Sequence, residues 1–293
     1  MAKLSALTAT LLVSASLSCG AAVRGQTRTT HQPASTADAK PHSLFSQSAR
    51  EILDRDFASQ DLSYLLLDAR TGALLASRWP GADQPIPLGS LVKPFTALAY
   101  AEHHMYRYPI YVCRGAASGC WQPRPHGRLN IVSAIAYSCN SYFREMASHL
   151  TGDQLREITS QLGIDSPAPT LTGPPLMGLG DEWPIAPLRM ARAYLELVRR
   201  RDEPGVREIV MGMQDSAVWG TGAGVGHALK NTSALVKTGT AVCRHEHRAP
   251  GDGFVIALVP ADQPELLLMI RVHGVPGATA AANAGQMLAR LEQ

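Results

Sequence analysis

The run "SYLLLDARTGALLASRW", Ser63 to Trp79, holds two short apolar stretches on either side of the polar Arg70-Thr71-Gly72. That pattern predicts two strands joined by a turn. "SLVKPFTALAYAEHH" predicts a helix, and "NIVSAIAYSCNSYFREMASHL" predicts helix with a local break near Cys139. "GDQLREITSQLG" and "APLRMARAYLELVRRR" follow as helices, the second with apolar residues recurring at intervals of three and four. "SALVKTGTAVC", "GFVIALVPA" and "ELLLMIRVHG" read as strands, and "TAAANAGQMLARLE" closes as a helix. Strands at both ends with helices between them predict an α+β layout. The first hairpin and the last three runs form one mostly antiparallel sheet flanked by helices. The middle helices, about 100 to 215, form an insert, with a cleft between the two.

One strand breaks its own pattern. In "LVKTGTAVC" an otherwise apolar run is interrupted by Lys237, Thr238, Gly239 and Thr240. Glycine inside a strand marks a place where something approaches the backbone closely. At the edge of a sheet this segment can pair with an extended peptide. Lys237 and the hydroxyls of Thr238 and Thr240 then offer a carboxylate site, and Gly239 leaves room for a substrate.

Composition narrows the classes. Of 293 residues 45% are hydrophobic, enough for a real core, and 17% are charged, below the usual share of about a quarter. A disordered chain is excluded. A net charge of +3 is too small for a nucleic-acid binder, and the basic run Arg199 to Arg201 reads as a solvated helix end. Residues 1–22 have a basic start at Lys3, an apolar stretch and small residues, the pattern of a secretory signal peptide. Two readings stand there. Cleavage falls near Ala21 or Ala22, or Cys19 is acylated as a lipid anchor, since "SLSC" resembles a lipobox with Ser16 where leucine is preferred. Either way the chain is expected to be exported. Residues 23–43 are polar and read as a flexible tether, and 44–293 as the folded domain, without internal repeats. In an oxidising compartment Cys113 and Cys120, bracketing the turn-rich "RGAASG", are expected to pair as a loop disulfide. Cys139 and Cys243 read as small buried residues.

Three short motifs fall at the edges of the expected cleft. "SLVK" places Ser90 and Lys93 on one face of a helix start. Serine is a poor nucleophile until a base takes its proton, and a lysine whose pKa is lowered by burial can be that base. "SCN" offers a second hydroxyl, Ser138, for proton relay, and Asn140 to hold a substrate amide. "KTGT" is the third. Each is weak alone; their order and placement together carry the signal.

The chain resembles penicillin-binding protein transpeptidase domains, of the class B type, which belong with the β-lactamases to a superfamily marked by Ser-x-x-Lys and Lys-Thr-Gly. "PLGSLVKPFTALAYAE", "CWQPRPHGRLNIVSAIAYSCNSYF", "GLGDEWPIAPLRMARAY", "WGTGAGVG" and "KTGTA" occur in that family's order, and "GFVIALVPADQPELLLMIRV" resembles its closing strands. The resemblance covers about 44 to 293. It implies a five-stranded sheet with an inserted all-helical subdomain, a DD-peptidase/β-lactamase-like fold. Ser90 is then the acylated nucleophile and Lys93 its base. Ser138 and Asn140 complete proton transfer and positioning, and Lys237, Thr238 and Thr240 bind the carboxylate. The amides of Ser90 and Thr240 form the oxyanion hole. Residues 23–43 are too short for the glycosyltransferase or pedestal domain of large synthases in this group.

The implied function is a penicillin-binding serine DD-transpeptidase acting on D-Ala-D-Ala stem peptides of peptidoglycan. It would be located in the periplasm or cell envelope, with β-lactam antibiotics as ligands, cell-wall synthesis proteins as partners and no cofactor. Two alternatives stay open: a DD-carboxypeptidase or weak serine β-lactamase, and a non-catalytic β-lactam or muropeptide sensor. Cys243, His245 and His247 alternate as zinc ligands do, but no fourth ligand is evident and no metal is expected. His103 and His104 read as a helix C-terminus, Glu182 as structural, and Trp121 and Trp183 either line the cleft or pack the core.

Overall fold

The structure, a computed structural model, describes residues 40–243 and 249–292. The expected signal peptide, Cys19, the tether up to residue 39, and His245 and His247 lie outside the described residues. Helix α1 (Lys40–Asp56) begins inside 23–43 and was not expected from the pattern. Strands β1 (Leu62–Asp68) and β2 (Leu74–Arg78) follow as a hairpin. Its turn is built by Asp68, whose Oδ1 accepts the backbone N–H groups of Arg70 at 3.0 Å and Thr71 at 2.7 Å.

After α2 (Lys93–His103), a short ribbon pairs β3 (Tyr111–Cys113) with β4 (Gly127–Leu129). Helices α3 (Ile131–Ala136), α4 (Asn140–Ala147), α5 (Gly152–Gln161), α6 (Pro187–Arg199), α7 (Val206–Val218) and α8 (Ala223–Ala228) come next. Local signals place several ends. Asn130 with Ser133 and Thr151 with Gln154 form capping boxes at α3 and α5, and proline opens α6. The chain returns to the sheet with β5 (Leu235–Ala241), β6 (Asp252–Val259) and β7 (Leu266–His273), and closes with α9 (Gly277–Leu291).

The sheet order is β2-β1-β7-β6-β5, antiparallel throughout. This is the expected α+β architecture, with β5 at an edge. Every residue of β1 and β6 is buried because both faces of the sheet are covered. Side chains alternate between two cores. Leu65, Leu67, Phe254, Ile256 and Leu258 pack into the helical insert. Tyr64, Leu66, Val255 and Ala257 pack under residues of α1 and α9 such as Leu53, Ala284 and Met287. A two-sided core fixes strand register, since a one-residue slip would exchange the faces. That rigid edge is where the Lys-Thr-Gly-Thr segment sits.

Candidate active site

Gly89–Val92 form one 3₁₀ turn that feeds α2, with the Lys93 N–H donating to Ser90 O. In such a turn residues three apart lie one above the other, so Ser90 and Lys93 share a face. The turn packs backbone to backbone against β5 through two glycines. A Cβ on Gly89, whose φ is +57°, would lie 2.2 Å from Thr240 O, and one on Gly239 would lie 2.5 Å from Leu88 O. The sequence reading assigned the room at Gly239 to a substrate. In the structure the Leu88 carbonyl fills it. From behind, the Tyr194 hydroxyl donates to Leu91 O at 2.7 Å, and its ring meets Phe95 edge-on at 5.3 Å.

Ser138 lies at the break between α3 and α4 with φ +51°. Left-handed backbone costs a residue with a Cβ about 1–2 kcal/mol. Neighbouring bonds hold it there: Ser138 N–H donates to Ile135 O at 3.1 Å and Cys139 N–H to Ala134 O at 3.0 Å. The corner turns three acceptors onto one amine. Lys93 Nζ donates to Ser138 O at 2.8 Å and to Asn140 Oδ1 at 2.6 Å, and lies 3.4 Å from Ser138 Oγ. Lys237 Nζ donates to the same Ser138 Oγ at 2.8 Å and to Thr238 O at 2.7 Å.

Both lysines are fully buried. Loss of hydration disfavours the ammonium form. It brings the Lys93 amine down to about 7, against a smaller opposing electrostatic effect of Cys139 and Cys120. Lys237 is pushed well below its ordinary value, by burial first and by the Lys93 charge second. Lys93 therefore has the character of a base near neutral pH.

These groups open onto a pocket of about 300 Å³ lined by Ser90, Ser138, Asn140, Thr238, Gly239 and Thr240. The expected site residues other than the two lysines thus lie on one wall system, and the lysines lie just behind it. Trp121, Leu179, Pro276 and Ala278 also line it, with Thr221, which sequence reasoning missed. The Thr238 hydroxyl donates to Thr221 Oγ1 at 2.6 Å. The only signal for Thr221 was its place in "WGTGAGVG". Thr240 Oγ1 accepts the Gly277 N–H at 3.0 Å, tying β5 to the start of α9. Trp121 lines the pocket, whereas Trp183 is buried with its indole N–H on Asp165 O at 2.8 Å. Glu182 is exposed and outside the pocket lining.

The expected Cys113–Cys120 disulfide is not formed: both are free thiols. The reason is the loop's path, which carries Cys120 to Cys139, with the two sulfurs 3.7 Å apart. His126 Nδ1 stands 3.5 Å from Cys113 Sγ and 3.6 Å from Cys120 Sγ. A second group joins Cys243, Asp252 and His273 at the ends of β5, β6 and β7. There the His273 Nδ1 to Asp252 Oδ1 separation of 2.5 Å is a hydrogen bond, and the Cys243 thiol donates to Asp252 Oδ1 at 3.1 Å.

Residues 62–291 match the family model of the penicillin-binding protein transpeptidase domain. Among solved structures, Pseudomonas aeruginosa PBP2 in complex with WCK 5153 aligns with a TM-score of 0.68 at 16% identity, over 85% of this chain and 73% of that one. Helicobacter pylori PBP2, in its complex with MreC, aligns at 0.69 and 17%, over 84% and 62%. The transpeptidase domain of Legionella pneumophila FtsI4 aligns at 0.59 and 18%, over 86% and 96%. At such identities these structures bear on the fold alone. No match was found among curated protein sequences.

Proposed function

The chain belongs to the penicillin-binding protein transpeptidase domain family, and from that premise we propose that it is an exported serine DD-transpeptidase acting on D-Ala-D-Ala stem peptides of the cell wall. The observation that carries the reading is the Lys93 amine. It is buried, held by Ser138 and Asn140, poised near pH 7, and one turn from Ser90.

Neutral Lys93 takes the Ser90 hydroxyl proton as Oγ attacks the penultimate D-Ala carbonyl carbon. The negative oxygen is received by the backbone N–H groups of Ser90 and Thr240, whose strands of backbone the two glycines bring into contact. Loss of one such donor costs about 10²–10³ in rate. The C–N bond then breaks, and the departing D-alanine amine receives the proton from Lys93 through Ser138 Oγ, which both lysines reach. Ser90 is left as an ester that an acceptor amine cleaves. A substrate carboxylate near Thr238 and Thr240 favours the charged form of Lys237, because an opposite charge favours the ammonium. β-Lactams enter the same pocket as acylating agents.

Mass spectrometry of the purified protein with a D-Ala-D-Ala peptide, with and without an acceptor amine, tests this. The expected result is an acyl adduct at Ser90, D-alanine release, and transfer to the amine. Labelling by penicillin that persists in Ser90→Ala would overturn the assignment.

A further inference from the structure

We propose that Cys113, Cys120, His126 and Cys139 bind one zinc ion, which staples the loop 114–126 to the corner that carries Ser138 and Asn140. Sequence reasoning expected no metal and paired Cys113 with Cys120. The structure instead converges four donors from four places: the end of β3, the loop after it, the residue before β4, and the residue that precedes α4. Their ligand atoms all lie within 4.8 Å of one another.

The spacings are those of a four-coordinate site. Zinc bonds of about 2.3 Å to sulfur and about 2.0–2.1 Å to nitrogen, arranged tetrahedrally, place two sulfurs about 3.8 Å apart and a sulfur and nitrogen about 3.6 Å apart. The Cys120 and Cys139 sulfurs are 3.7 Å apart, and His126 Nδ1 is 3.5 Å and 3.6 Å from the sulfurs of Cys113 and Cys120. A disulfide needs about 2.05 Å, and no pair here approaches it. Three sulfurs and an imidazole form a soft donor set of the kind that selects zinc over calcium or magnesium. The surroundings suit thiolates. The Gly115 N–H points at Cys113 Sγ at 3.4 Å, and the Ser141 hydroxyl stands 3.2 Å from the same sulfur. On binding, the three thiols release their protons to solvent and neutral His126 lends its Nδ1 lone pair, with no change in oxidation state.

Beyond its own backbone turns, the Ser118 hydroxyl on Ser141 Oγ at 3.0 Å and the His126 ring stacked on Tyr137, the segment buries little apolar surface. "RGAASGCWQPRPH", 114–126, contributes Cys120 to the core, and its one large apolar residue, Trp121, is 49% exposed. Yet Trp121 lines the pocket, with its indole N–H on Tyr137 O at 3.2 Å. Cys139 stands between Ser138 and Asn140, so ligating its sulfur fixes both neighbours. The ion would set the shape of the site without touching substrate. That consequence rests on the function proposed above; the ion's presence does not.

The test uses the whole chain, produced with zinc in the medium and purified under reductant without chelator. Elemental analysis is expected to give one zinc per chain. Replacement by cobalt should give a thiolate-to-cobalt charge-transfer band with tetrahedral visible absorption. Cys120→Ser and Cys139→Ser should bring zinc to background, and Cys243→Ser should keep it. If those variants fail to fold, the wild-type protein still decides. Chelation should expose additional thiols to a thiol reagent and lower the unfolding temperature, and added zinc should restore both. A wild-type chain without zinc, an octahedral cobalt spectrum, zinc loss in Cys243→Ser with retention in Cys139→Ser, or a Cys113–Cys120 disulfide would overturn the proposal. Zinc that is present and lost with Cys139 while Ser90 never acylates would uphold the site and sink the enzyme.

Discussion

Lys93 and Lys237 converge on a single oxygen: Ser138 Oγ stands 2.8 Å from Lys237 Nζ and 3.4 Å from Lys93 Nζ. Charge on Lys93 disfavours charge on Lys237, in addition to the larger effect of burial. Both amines are fully buried, and burial disfavours the charged form of each. The shared hydroxyl bridges the two amines.

Acylation should therefore follow the Lys93 proton. Its amine lies at about 7 in the folded chain because burial disfavours the charge, so the rate of penicillin labelling should rise as pH passes upward through about 7. A flat profile between about pH 6 and 8 contradicts Lys93 as the base. Lys93→Ala should slow labelling by about 10²–10⁴-fold.

The same group shapes stability in a fixed direction. Between about 7 in the folded state and the ordinary value of 10.5, the unfolded chain binds a proton that the folded chain has released. Stability contributed by this group thus rises with pH across that window and is lost as pH falls through it. Urea unfolding of wild type and Lys93→Met at pH 7 and pH 9.5 measures it, and the wild-type chain should gain more on going to the higher pH.

Tyr194 holds the turn that carries Ser90 by one bond to the carbonyl of Leu91, the residue after it. Tyr194→Phe keeps the ring against Phe95 but leaves a buried carbonyl without its donor, at a cost of about 1–3 kcal/mol. Denaturant unfolding reads the loss. Slower labelling, beyond what the loss of folded protein accounts for, would show that the bond also positions Ser90.

Thr221 meets Thr238 hydroxyl to hydroxyl at 2.6 Å on the pocket wall. Thr221→Val removes one partner and leaves the shape. The second-order rate of acylation by a carboxylate-bearing β-lactam should fall about tenfold, the equivalent of about 1.4 kcal/mol. An unchanged rate would place the carboxylate elsewhere.

Deacylation by water needs a base that directs the water. Among the described residues that line the pocket there is no Asp or Glu, and Glu182 lies outside it. The penicilloyl adduct at Ser90 should persist for many minutes rather than turn over at about 10–10³ per second. Time-resolved mass spectrometry of the adduct decides between this and the β-lactamase alternative.

How far the sequence carried can be read off particular residues. Ser90 and Lys93 were legible because a one-turn spacing is local, and the KTGT strand because a lysine and two threonines stand out in an apolar run. The sheet followed from the order of strand-like and helix-like runs. Thr221 was not legible, since its meeting with Thr238 depends on how the chain between α7 and β5 folds back. Gly239 was seen as a close approach, but the approaching group, the Leu88 carbonyl, comes from far upstream. The sulfur group misled for the same reason: Cys113 and Cys120 are near in sequence, while the geometry is completed by His126 and Cys139 from other elements.

The left-handed backbone of Ser138 sets stability and chemistry against each other at one position. Glycine there would relax the corner, since only glycine adopts such a φ without steric cost, but it would delete the hydroxyl both lysines hold. Threonine would keep the hydroxyl and yet be the worse replacement, because a β-branched side chain at positive φ is a steric outlier. A selection for thermal resilience alone would be drawn toward Ser138→Gly and would collect stable, inactive chains; a screen for penicillin labelling would return the less stable serine. The two screens run on one library at this codon should diverge, a stability–activity trade-off localised to one φ angle.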